Sequence, residues 1–74
     1  MKVYEIVEDV KAKDFTFDIA GFNRPYLKDI VNKTCEEMID KKYGLHYFYE
    51  DLRDRDVIGT TMDLTKMRIT ILYK

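Results

Sequence analysis

Serine, glutamine and tryptophan are absent from this chain; cysteine, histidine and proline occur once each, and glycine three times. Without serine there is no serine nucleophile, and one histidine with one cysteine falls short of a catalytic triad. A single cysteine, Cys35, excludes an internal disulfide and suits a reducing compartment. No segment reaches the roughly 18 apolar residues of a membrane span. The opening MKVYEIVEDV carries acids at positions 5, 8 and 9 and lacks the apolar run of a signal peptide, so a cytoplasmic location without membrane contact is expected. Charge of one sign is missing too. Thirteen basic and fourteen acidic residues leave a formal charge of −1, which gives neither a field for phosphate backbones nor the acidic excess of a nucleic-acid mimic.

What is present is a chain of 74 residues, 46% hydrophobic, enough for one domain, 1–74, with a thin core. Residues 2–8, KVYEIVE, are β-branched and aromatic and predict a strand, and 9–14, DVKAKD, a hairpin loop. Residues 15–20, FTFDIA, alternate, with Phe15, Phe17 and Ile19 on the buried face. After Gly21, Asn23 and Pro25 suit a helix start. The stripe Leu27, Ile30, Val31, Thr34, Met38 predicts one helix over 24–42, closed by Lys41, Lys42 and a left-handed Gly44. Residues 45–50, LHYFYE, predict a third strand. Residues 51–65 read as irregular, with a short strand at Val57 and Ile58 and a turn near 62–65. Residues 67–73, MRITILY, alternate again, with Met67, Ile69, Ile71 and Tyr73 inward. The expected fold is therefore α+β: a single helix on one face of a mixed four- to five-stranded sheet, in the order ββαβ(β)β. One helix covers one face, and the other stays open. Phe17 and Ile30 should meet across the sheet–helix layer.

This element order and length resemble the ubiquitin-like β-grasp superfamily over the whole chain. The resemblance implies that the first and last strands lie parallel in the middle of the sheet, with the third strand beside the last. The chain ends ITILYK, without the Gly-Gly tail of conjugated or sulfur-carrying members, so attachment and sulfur transfer are not implied. Non-conjugated members are binding modules.

The chemistry-bearing candidates read as structural. Cys35, mid-helix beside the core stripe, is expected to be an inert buried thiol. Glu50, Asp51, Asp54 and Asp56 lack the spacing of a calcium loop and alternate with Arg53 and Arg55. No metal and no cofactor is expected, and the chain is not read as an enzyme. The ring-dense stretch Tyr43–Tyr49 is more informative. If Leu45, Tyr47 and Tyr49 face the core, His46 and Phe48 face outward. Glu5 argues that Val3 and Val7 share its outward parity, and Thr70 and Leu72 are outward on the last strand. In the β-grasp order Val3, Val7, His46, Phe48, Thr70 and Leu72 form one patch on the open face, and contiguous apolar patches mark interfaces. The function expected is a non-catalytic protein-binding module, an adaptor, small subunit or inhibitor of the kind mobile elements also carry, with a homodimer among the outcomes. The alternative is single-stranded nucleic-acid binding through the same rings.

Overall fold

Two strands form where alternation is strictest, and they become the centre of the sheet. The computed structural model describes residues 1–74. It places β1 at Thr16–Gly21 and β4 at Arg68–Tyr73. They pair in parallel, with Phe17 beside Ile69 and Ile19 beside Ile71. The hairpin partners flank them antiparallel: β2 (Lys28–Thr34) beside β1, and β3 (Val57–Asp63) beside β4. The sheet order is β2-β1-β4-β3. A parallel central pair with the third strand beside the last is the order that the resemblance implied, reached here by partly different residues.

Three short helices take the place of the single expected one: α1 (Val3–Val7), α2 (Cys35–Ile39) and α3 (His46–Leu52), with 3-10 turns at Val10–Ala12 and Lys41–Tyr43. The chain therefore runs helix, strand, strand, helix, helix, strand, strand. All three helices contribute to one core, where Val3, Val7, Met38, Tyr49 and Leu52 pack with Phe17, Ile19, Ile30, Ile69, Ile71 and Tyr73. The helices thus cover one face of the sheet.

Each departure from the sequence reading has a physical cause. Residues 2–8 contain the strand formers Val3, Ile6 and Val7. Those same residues stand at i, i+3 and i+4, and docking on the sheet decides for the helix. Val3 and Val7 are 0% exposed, so their placement on the open face is corrected. In 24–42 the helical stripe is broken by Thr34. Its hydroxyl accepts from the Glu37 amide at 3.2 Å, and the Glu37 carboxylate accepts from the Thr34 amide at 3.1 Å, a capping box that starts α2. Upstream of it the chain is strand, and Leu27 and Val31 are exposed. LHYFYE is helical because Leu45, Tyr49 and Leu52 give a spacing of one helical face; Tyr49 and Leu52 are buried and Leu45 is half-buried. Residues 57–63, read as largely irregular, form a full strand whose alternation is interrupted by a bulge between Val57 and Gly59. Phe17 and Ile30 are both buried, but both lie within the sheet, Ile30 beside Ile19. Met67, expected inward, is exposed with φ 51°. Gly44 does take the left-handed conformation, φ 78°.

The core places a large demand on few side chains. Phe17→Ala and Ile30→Ala are each expected to cost about 2–5 kcal/mol, a large share of a small domain's stability. Denaturant titration checks this, and parent-like midpoints for both variants contradict the core described.

Candidate interaction surface

The uncovered sheet face is polar. Its rows are Thr16, Asp18 and Ala20 on β1, Arg68, Thr70 and Leu72 on β4, and Gly59, Thr61 and Asp63 on β3, as the strand registers require. Asp18 is only 2% exposed. Both of its oxygens are saturated. Arg68 donates from Nε at 3.0 Å and Nη2 at 2.8 Å, Lys28 Nζ donates at 2.8 Å, and the Asn32 amide donates at 2.8 Å. Burial alone pushes a carboxyl upward, but these donors outweigh it and hold Asp18 below the usual carboxylate range. A carboxylate of β1 is thus bonded to β4 on one side and to β2 on the other.

Of the six residues expected to share the open face, Thr70 and Leu72 lie there, half-buried on β4. Val3 and Val7 are core. His46 and Phe48 stand on α3, whose packed side joins the covered face of the sheet, so the patch is not assembled. Phe48 is 62% exposed. His46 is half-buried, and its Nδ1 is buried with no hydrogen-bond partner. His46 lines a cavity of about 510 Å³ together with Glu8, Met38, Tyr49 and Arg53. Inside it the Tyr49 hydroxyl donates to Glu8 at 2.5 Å, and Arg53 reaches the same oxygen at 3.3 Å. Burial and the Glu8 carboxylate push the Tyr49 hydroxyl far above its ordinary value, so it stays a neutral donor. Cys35 is half-buried on α2, and burial and the charge of Glu8 push its thiol upward. That is the opposite of the activation a nucleophilic thiolate needs.

The surface that sequence reasoning missed is the outer edge of β3. On β4 the carbonyls of Met67 and Tyr73 face β1, accepting from Thr16 and Phe22. By alternation the peptide groups of Arg68, Thr70 and Leu72 face β3, where Asp63, Thr61 and Gly59 stand opposite. The peptide groups of Thr60 and Met62 therefore point away from the sheet. Residues 1–3 occupy only the start of this edge: the Val57 amide donates to Met1 at 2.8 Å, and the Val3 amide donates to Arg55 at 3.1 Å. Beyond Val57 the edge has no neighbour. Hollows flank it on both faces, one of about 160 Å³ at Gly59, Thr61, Thr70 and Leu72, the other of about 270 Å³ at Met1, Ile6, Met62 and Ile69.

The two edges differ in their protection. β2 carries Lys28 and Lys33 and is distorted at Asn32, φ 53°. Lysines and irregularities of this kind deter added strands. β3 has no charge from Val57 to Met62 and no proline. The signal was present in the sequence: Val57, Ile58, Thr60 and Thr61 are four β-branched residues within the seven of this strand. Comparison of the chain with protein families, with curated proteins and with solved structures finds no match.

Two outcomes check this geometry. Phe48→Asp is expected to leave stability within about 0.5 kcal/mol of the parent, as for other exposed positions; unfolding of this variant contradicts the exposure of α3. Asp18 gives a pH test. Its carboxyl is lowered in the folded state, so its stabilisation is present above the ordinary value, about 4. It is lost as pH falls through that value and the lower folded one. Asp18→Asn is expected to cost about 2 kcal/mol at neutral pH, the scale of charge-assisted hydrogen bonds, and to narrow its deficit as pH falls below about 4. A deficit independent of pH contradicts the role given to the carboxylate.

Proposed function

We propose that this protein is a non-catalytic protein-binding module that captures an extended segment of its partner as an added strand on β3. The observation that carries the reading is an unguarded edge at Thr60 and Met62 with a hollow on either face. An added strand takes its affinity from main-chain hydrogen bonds and its specificity from alternate side chains that enter pockets on the two faces. Both requirements are met on the same stretch. The β-grasp resemblance supports it as analogy, since its non-conjugated members are binding modules. Within this reading the open face contributes its border, Thr61, Thr70 and Leu72, and not a broad apolar patch.

Single-stranded nucleic acid is the alternative. Tyr47 and Phe48 are exposed rings, as stacking requires. They stand on the helix that carries Glu50 and Asp51, and the net charge is −1, so the electrostatic part of such binding is lacking.

The test is selection of binders from a displayed library of unstructured peptides, followed by titration against Thr60→Pro. Proline at 60 removes an outward amide and leaves the β4 ladder intact. Selected peptides are expected to bind the parent and to lose at least about tenfold in affinity, about 1.4 kcal/mol, with the folded variant. Equal affinity for both proteins, or binding only to labelled oligonucleotides at low salt, overturns the proposal.

A further inference from the structure

We infer that the strand added to β3 is β3 of a second copy, giving a symmetric dimer with Thr61 on the two-fold axis. This rests on the strand-addition reading and names its partner. An antiparallel pair of identical edges has a two-fold axis normal to the sheet, so residues facing each other must lie on the same face. Centring the pair on Thr61 satisfies this: Thr60 of one copy stands opposite Met62 of the other. The outward peptide groups are those of Thr60 and Met62, so each residue meets a partner whose donor and acceptor face it. Among the registers that symmetry permits, this one pairs the outward groups of Thr60 with those of Met62 at both ends.

Side chains and charges agree. Met62 is 58% exposed. In this register Met62 of the second copy lies beside Thr60, on the face where the hollow of about 270 Å³ at Met1, Ile6 and Ile69 opens. The two Thr61 side chains meet on the open face, a favourable cross-strand pair. Asp63 stands opposite Gly59, which keeps the two Asp63 carboxylates apart. The protection of β2 supplies the stop. The isologous pair consumes the free edge of each copy, and the outer edges of the joined sheet are the distorted, lysine-bearing β2 strands. Association closes at two and does not propagate as a fibre.

Thr61→Cys in a Cys35→Ala background tests the axis. Opposed residues of a non-hydrogen-bonded antiparallel pair sit about 4.5 Å apart at Cα, within the range of a disulfide. Sedimentation over a concentration series is expected to show monomer and dimer for the parent, with a Kd raised at least about tenfold in Thr60→Pro. Mild oxidation is expected to convert the Thr61→Cys variant to a covalent dimer. Met62→Lys, which leaves the β4 ladder untouched, is a second variant expected to weaken the dimer should Thr60→Pro fail to fold. A parent that stays monomeric at every concentration while still binding selected peptides overturns this inference and leaves strand addition standing. A monomer that binds neither overturns both. A dimer insensitive to Thr60→Pro and Met62→Lys, with no crosslink at position 61, places the contact elsewhere and also overturns the inference.

Discussion

The carboxylate of Asp18 is the point on which the sheet depends. It lies on the uncovered face, where no helix shields it, yet it is buried because Arg68 from β4 and Lys28 from β2 reach it from both sides. A buried charge without partners is costly, and one saturated with donors fixes geometry. Here it fixes the neighbours of β1 on both flanks. The bond from the Asn32 amide has a further effect. It holds β2 where that strand is irregular and Asn32 takes φ 53°. The same interaction that unites β2, β1 and β4 therefore accompanies the distortion that makes the β2 edge a poor template.

From that constraint the asymmetry of the molecule follows. One face is closed by three short helices that bury Val3, Val7, Met38, Tyr49 and Leu52 against it. The other is a polar lattice of threonines, Asp18 and its cations. Neither face presents a broad apolar surface. The main chain left both unpaired and unguarded is that of β3 beyond Val57, and backbone groups are the most general recognition element a protein has. A small domain has a thin core, and its cavity of about 510 Å³ at Glu8, His46 and Arg53 is an open hollow beside α3. An edge with shallow hollows on both sides needs no deep pocket.

The sheet centre is legible in the sequence and its surroundings are not. FTFDIA and MRITILY alternate strictly in sequence, and of their inward sets Phe15, Phe17, Ile19, Ile69, Ile71 and Tyr73 belong to the core while Met67 does not. Elements of five to seven residues carry too few turns for periodicity to separate helix from strand. Val3, Ile6 and Val7 fit either, and packing chooses. The stretch 24–42 reads as one helix because Ile30 and Met38 fall on a helical stripe, although the capping box at Thr34 and Glu37 marks a boundary inside it. The open-face set rests on parity in two segments that are helical, so Val3, Val7, His46 and Phe48 lie elsewhere, while Thr70 and Leu72, on a true strand, stay. The β3 edge escapes notice because a strand exposed on both faces shows no alternation, only β-branched composition.

We propose the outward amides of Thr60 and Met62 as the recognition groups. Residue-resolved amide hydrogen exchange across a concentration series measures this directly. In dilute protein these two amides are expected to exchange fast, while those of Thr61 and Asp63, directed at β4, are protected. As the second copy binds, Thr60 and Met62 are expected to become protected and Thr61 and Asp63 to change little. Fast exchange at Thr60 and Met62 at every concentration, with new protection appearing on α3 or the β2 edge instead, contradicts the account.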